Sequence, residues 1–286
     1  MKLVTYYAKR GLRVGAIKGK DIIDLTGAGV ARTMIELIAG GEEKLGQARA
    51  ALKDSESARV PLQGARLASP IPRPGKILCS GINYKGHAAE NPNAKMPTEP
   101  FFFAKLANAV IGDGDVIAYP PQTQQLDFEV EFTAVIGKRL RHAKEENVMS
   151  SLFGYTLLHD VSARDVQFKD NQITLGKNFD GFCPIGPCIV TSDEMKDPGN
   201  VRLFSRLNGK TMQNGTTADW LFSLQRLISH LSQVMTLEPG DVVSTGTPAG
   251  VGIFQKPPVF MKVGDVVEIE AEGIGILRNT IGPPVA

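Results

Sequence analysis

Apolar and polar positions alternate with period two through Leu126-Asp127-Phe128-Glu129-Val130-Glu131-Phe132, which predicts a strand with two unlike faces. Leu126, Phe128, Val130 and Phe132 form the apolar face, and Asp127, Glu129 and Glu131 form the other. Same-face neighbours on a strand lie roughly 6–7 Å apart. At an effective dielectric of about 20, two unit charges about 6 Å apart repel by roughly 3 kcal/mol. No Lys or Arg within the stretch offsets this repulsion. The apolar back predicts a half-buried strand, and there the acidic face needs a counter-ion. Hard divalent cations that take oxygen ligands, Mg²⁺, Mn²⁺ or Ca²⁺, suit carboxylates better than Zn²⁺ does. A solvated acidic edge satisfies the same pattern without metal.

Before this stretch the pattern predicts a small N-terminal α+β domain, residues 1–70. Strand-like runs at 2–7, 13–17 and 22–25 are followed by a helical pattern over 33–52, interrupted at Gly40-Gly41. No nucleophilic or charged cluster in it suggests chemistry, so a packing or dimerisation role is expected. Ser69-Pro70-Ile71-Pro72-Arg73-Pro74-Gly75 reads as the linker, with a second domain over 71–286. That domain is expected to be α+β and predominantly β. It carries strand runs at 76–79, 241–244, 266–271 and 274–281, and a core helix from Trp220 to Met235 with Thr216, Thr217 and Asp219 at its start. His230 falls inside that helix as a structural residue.

Composition narrows the partners. The chain has 286 residues, a formal net charge of +2 and 42% hydrophobic residues, which is ordinary globular make-up. That balance supplies no electrostatic case for nucleic acid or an anionic membrane. No segment approaches the roughly 18 apolar residues needed to span a bilayer. The N-terminus lacks an apolar signal core, so a cytoplasmic location is expected. Cys79, Cys183 and Cys188 contain no CxxC pair and read as buried thiols. A small molecule is the expected partner.

Several residues offer chemistry. His87 and Glu90, three apart on a helical turn, form a candidate general base or a surface ion pair. Residues 91–100, rich in Pro and Asn, suit a mobile cover. Lys105 is a solvated base or a carboxylate partner. Asp160 ends an apolar run and lies 29 positions beyond Glu131, far enough for the two segments to return side by side. Arg164 can take a substrate carboxylate, or pair with Asp165 or Asp160. Lys177 sits in a Gly/Pro-bounded loop, either solvated or stabilising substrate negative charge. The run Thr245–Gly252 lacks a phosphate-loop ending and reads as a rigid turn offering backbone N–H groups and the Thr247 hydroxyl to a small anion.

Five motifs stand in the order found in the fumarylacetoacetate hydrolase family, which this chain resembles over about residues 72–284. They are GxNYxxHxxE at Gly81–Glu90, ExE at Glu129 and Glu131, DVSARD at Asp160–Asp165, GKxFDxFxPIGP at Gly176–Pro187, and TGTPAGVG at Thr245–Gly252. The resemblance implies a mixed-β fold around a rolled sheet, usually a homodimer, with Mg²⁺ or Mn²⁺, or Ca²⁺, held by Glu129, Glu131 and Asp160. Asp127 is not a matching ligand position and is expected to support the others. The implied reaction is hydrolysis of a C–C bond in an acylpyruvate-type diketo acid, such as fumarylpyruvate or maleylpyruvate, to pyruvate and a carboxylic acid. His87, oriented by Glu90, would activate water, Lys177 would stabilise developing charge, and Thr247 with Gly246 would hold the pyruvyl carboxylate. Lys105, Arg164, Gln167 and Gln213 are further expected substrate contacts. Oxaloacetate decarboxylation, isomerisation of a 2-hydroxy-diene dioate, and metal-dependent binding of a 2-oxo acid without turnover are the alternatives.

Overall fold

In the computed structural model, which describes residues 1–54, 56–90, 96–169 and 172–284, the acidic stretch lies in the interior of the main sheet. Val130–Ile136 pairs antiparallel with Leu152–His159 on one side and with Val242–Ser244 on the other. Every residue of both Val130–Ile136 and Leu152–His159 is buried, so these strands are covered on both faces. The half-buried strand expected over 126–132 is therefore corrected in two ways. Its acidic face is as dry as its apolar face, and it is broken at Phe128-Glu129. Leu126–Asp127 pairs separately with Ser162–Ala163, and the main-sheet strand begins at Val130. The Asp127 carboxylate accepts the Phe128 N–H at 2.8 Å, a local bond that takes this amide out of any ladder.

Among the described residues the main sheet has twelve strands. Along its path stand Arg59–Pro61, Asp21–Asp24, Gly11–Lys18, Lys2–Ala8, Cys183–Thr191, Leu152–His159, Val130–Ile136, Val242–Ser244, Ile77–Ser80 and Phe102–Lys105. Its N-terminal strands are thus continuous with the rest through the pairs Lys2↔Val190 and Leu3↔Ile189. The Pro-rich run is packed, not an exposed tether: Ser69 and Ile71 are buried, and Pro70 O accepts the Thr5 hydroxyl at 2.7 Å.

A second sheet, in the order Lys210–Thr216, Arg202–Leu207, Val266–Ala271, Gly275–Gly282, Val116–Ala118, packs on the first. Phe132 and Tyr155 of the main sheet share one apolar cluster with Leu203, Ile269 and Leu277 of the second. Strands dominate, as expected of a predominantly β α+β fold.

The helix expected from Trp220 begins later. It runs Leu224–Val234, with Ser223 Oγ accepting the Arg226 N–H at 3.1 Å as the cap. Residues 221 and 222 form a bend outside the helix, where Asn83 takes the Leu221 N–H on its carbonyl and the Phe222 N–H on its side chain. No described helix is long and apolar enough to cross a membrane.

Candidate active site

Pairing of the two central strands brings the acidic residues together. Val130 lies opposite His159, and the Asp160 N–H donates to Glu129 O at 3.1 Å, so Asp160 emerges beside Glu129. One carboxylate oxygen from each of Glu129, Glu131 and Asp160 lies within 4.8 Å of the others, and all three residues are buried. With Asp127 they make four buried carboxylates facing three buried cations. Lys105 Nζ donates to Asp160 Oδ1 at 2.5 Å. Lys177 Nζ donates to Glu129 Oε2 at 3.0 Å and to Asp160 Oδ2 at 2.5 Å. Arg164 donates through Nε to Asp127 at 2.8 Å and through Nη2 to Glu129.

One negative charge is left over, and it falls on Glu131. Among the described residues that carboxylate has no basic partner within ion-pair reach and is bonded by the Ser244 hydroxyl. Burial, then repulsion from Asp160 and Glu129, pushes its carboxyl well above the usual range. Burial also opposes ionisation of Glu129, but Arg164 and Lys177 outweigh it and hold that carboxyl well below the usual range. A dry cluster of hard oxygen donors carrying an uncompensated charge fits a divalent cation, with Glu129, Glu131 and Asp160 as its ligands.

The dyad stands on the wall of the same cleft. His87 and Glu90 belong to the short helix Lys85–Glu90, and His87 Nδ1 lies 2.7 Å from Glu90 Oε2. Glu90 Oε1 accepts the Gly250 N–H at 2.8 Å. An acceptor fixed on that side favours the proton on Nδ1 and leaves Nε2 as a base. Both side chains are largely covered, which sets aside the surface-pair reading.

The other expected contacts divide. Arg164 lines the cleft and is held by Asp127 on Nε, Glu129 on Nη2 and Gln167 Oε1 on Nη1 at 3.1 Å, which leaves two of its five N–H groups for a ligand. Its expected partners also differ: Asp165 instead accepts from Thr123 and the Gln124 N–H. Lys105 is the carboxylate partner, not the solvated base, and Lys177 is no loop lysine in water. Gln213 lies outside the cleft lining, fully buried, with its amide bonded to Val130, Thr247 and Pro248. The Thr247 hydroxyl already donates to Val130 O at 2.9 Å, so it keeps only a lone pair for a ligand. The donors left in that turn are backbone: the Gly246, Thr247, Ala249 and Val251 N–H groups have no partner among the described residues, and of these four residues only Thr247 lines the cleft. Gly246 is there because its φ is +82° and a Cβ would stand 2.8 Å from Gly81 O.

A cleft of about 100 Å³ opens over the carboxylates, lined also by His87, Arg164, Gln167, Lys177 and Thr247 and walled by Ile82, Phe101, Phe103 and Ile173. Sequence reasoning passed over these apolar walls because isolated apolar residues carry no chemical signature. It also missed Ser244, and missed that Asp127 takes the Gly252 and Ile253 N–H groups at 2.7 and 3.1 Å, clamping the turn to the acidic strand. Half of the cover expected over 91–100, residues 91–95, lies outside the described residues.

Residues 76–282 match the family described as "Fumarylacetoacetate (FAA) hydrolase C-terminal". The chain belongs to the fumarylacetoacetate hydrolase family. It is 42% identical over 291 aligned residues to the bovine (Bos taurus) protein named oxaloacetate tautomerase FAHD2A, mitochondrial, covering 98% of this chain and 91% of that one. Among solved structures it resembles the fumarylacetoacetate hydrolase of the psychrophile Exiguobacterium antarcticum, with a TM-score of 0.88, 36% identity and 99% of each chain covered. It also resembles maleylpyruvate hydrolase from Sphingobium sp. SYK-6 in complex with manganese(II) and pyruvate, with a TM-score of 0.82, 32% identity and 100% of each chain covered. This member of the family is accordingly an enzyme by kinship, with an acidic triad fit for a divalent ion.

Proposed function

We propose that the chain is a divalent-metal-dependent enzyme that makes and consumes the enol of a 2-oxo acid, and that it interconverts the keto and enol forms of oxaloacetate. The observation that carries this reading is one cleft holding both the buried Glu129–Glu131–Asp160 triad and the His87–Glu90 dyad. Likeness to a protein named oxaloacetate tautomerase over almost the whole length supports the choice of substrate. A bound divalent cation supplies a Lewis acid that lowers the energy of an enolate oxygen. Mg²⁺ and Mn²⁺ take the same oxygen ligands, and both are proposed.

The chain's own groups supply the rest. The backbone N–H groups of Gly246 and Thr247 hold the 1-carboxylate, in place of the Thr247 hydroxyl expected from the sequence. His87 Nε2 accepts a proton from C3 of the keto acid to give the enolate. That enolate takes a proton from water on its 2-oxygen as it leaves as the enol, while the imidazolium returns its proton to water; the reverse direction runs the same transfers backwards. Glu90 keeps the imidazole in the competent tautomer and stabilises its protonated state. Lys177, charged and buried, faces the negative charge that develops on the 2-oxygen. The apolar walls limit water around that proton transfer.

Hydrolysis of an acylpyruvate is the second reading, favoured by the same dyad, which can activate water, and by likeness to a maleylpyruvate hydrolase. Purified protein should be given enol oxaloacetate and a panel of acylpyruvates with Mg²⁺, with Mn²⁺ and after chelation. Metal-dependent loss of the enol absorbance without CO₂ or pyruvate supports the tautomerase. Pyruvate plus a free acid from the panel would replace it with the hydrolase, and pyruvate plus CO₂ with the decarboxylase. A homodimer is proposed from the family resemblance and is tested by light scattering; a cytoplasmic location is tested by fractionation.

A further inference from the structure

Gln213 is the sole buried position in the strand Lys210–Thr216, which is an edge of the second sheet. Pairing with Arg202–Leu207 slips at Ser205/Arg206: Ser205 faces Gln213, but Arg206 faces Thr211. Met212 is therefore an extra residue, and such a bulge re-aims the side chains beside it. The inward side chain at that point is an amide, although any apolar residue of similar length would fill the space.

Both ends of the amide are used. Gln213 Oε1 accepts the N–H of Val130, the residue between the proposed ligands Glu129 and Glu131, at 3.0 Å. Its Nε2 donates to Thr247 Oγ1 at 2.7 Å and to Pro248 O at 2.8 Å. Thr247 in turn donates to Val130 O. The 245–252 turn presses on the same strand with no room to spare. A Cβ on Gly250 would stand 2.3 Å from Met212 O, and one on Gly215 would stand 2.4 Å from Pro248 Cβ. The Gly250 N–H is also the donor that holds Glu90.

We propose that Gln213 is a positioning residue that sets the height of the 245–252 turn above the carboxylate strand. It thereby places the Gly246 and Thr247 N–H groups and the His87–Glu90 dyad over a 2-oxo acid bound at the triad. This rests on the oxo-acid reading of the cleft. A fully satisfied buried network of this kind fixes one geometry, and losing one member releases the others.

The test uses Gln213→Met, which keeps length and removes the amide, and Gln213→Glu, which keeps an acceptor for Val130 but removes both donors to the turn. Gly250→Ala displaces the turn from the other side and carries the test if Gln213→Met does not fold. Mn²⁺ affinity is read by electron paramagnetic resonance, and affinity of the Mn²⁺-loaded protein for oxalate, which presents the adjacent oxygens of an oxo acid, by calorimetry. Each folded variant should hold Mn²⁺ within about threefold of the parent and bind oxalate at least tenfold more weakly. Unchanged oxalate affinity in a folded variant would reduce Gln213 to packing. Parallel losses of Mn²⁺ and oxalate would place its effect on the carboxylates and overturn the assignment to the turn. Failure of the parent itself to bind oxalate with Mn²⁺ would instead sink the oxo-acid reading, and the proposal with it.

Discussion

Glu131 and Asp160 belong to one cluster, yet they should answer to substitution differently. Asp160 neutralises Lys105 and Lys177, both buried, whereas Glu131 is bonded only by the Ser244 hydroxyl among the described residues. Asp160→Asn leaves two ammonium groups short of charge, and breaking a buried pair costs about 3–5 kcal/mol. Glu131→Gln strips a cation ligand without orphaning a base. Calorimetry should therefore show Asp160→Asn several degrees less stable, and Glu131→Gln folded near the parent midpoint, with Mn²⁺ affinity lost in both. At the dyad, His87→Ala should lower kcat by roughly 10²–10⁴ with Mn²⁺ affinity unchanged, the scale of a lost general base. A pure binder would instead keep its ligand affinity and show no turnover to lose. The gathering of Glu129, Glu131 and Asp160 was legible because all three stand in motifs of the family this chain resembles. The commitments of Arg164 and Gln213 were not, since a side chain able to reach a substrate can equally reach a neighbour 35 or 83 positions away.

The short helix Thr174–Lys177 shows how an element aims a side chain. Its preceding residue, Ile173, lines the cleft at φ +55°, a conformation that costs a β-branched residue on the order of 1–2 kcal/mol. Tight packing against the Arg164–Gln167 helix holds it there: a Cβ on Gly176 would stand 2.6 Å from the Gln167 backbone. Gly176→Ala should therefore cost about 1–3 kcal/mol in stability, the usual range for overpacking. It should also lower kcat/KM by more than tenfold, because Lys177 moves with the helix; thermal melts and steady-state kinetics separate the two effects. Several elements were readable from periodicity, including the terminal strands Val266–Ala271 and Gly275–Gly282 to within a residue, whereas Cys183–Thr191, Arg202–Leu207 and Lys210–Thr216 were not. The start of the Leu224–Val234 helix was not, because Asn83, far away in sequence, takes the N–H groups of residues 221 and 222 against a helical pattern.

The continuity of the main sheet governs the behaviour of the whole molecule. Removing residues 1–70 would strip Lys2–Ala8 from Cys183–Thr191, where they pair at Lys2↔Val190 and Leu3↔Ile189, and bare an apolar edge, a template for aggregation. The fragment 71–286 should accumulate as insoluble material, which a solubility assay on expressed fragments checks; a soluble, metal-binding fragment would show that the N-terminal unit is dispensable. Metal should contribute on the same global scale. A ligand at about 100 times its Kd stabilises by roughly 2.7 kcal/mol, and for a chain of this size each kcal/mol moves the midpoint by about 2–4 °C. Chelation should lower the thermal midpoint by roughly 5–10 °C, and Mn²⁺ should restore it.

The sequence by itself determined the strand-rich class, the family and the identity of the three carboxylates with their His–Glu companion. The class follows from local periodicity, and the family with its carboxylate set from five motifs standing in the family's order. Only the tertiary structure decided which charges neutralise which. It showed that Asp127 and Arg164 brace the site, that Gln213 bonds both the turn and the carboxylate strand, and that Glu131 is the carboxylate without a basic partner among the described residues. Pairing of that kind depends on register between strands far apart in the chain, and register is set by packing across the whole sheet.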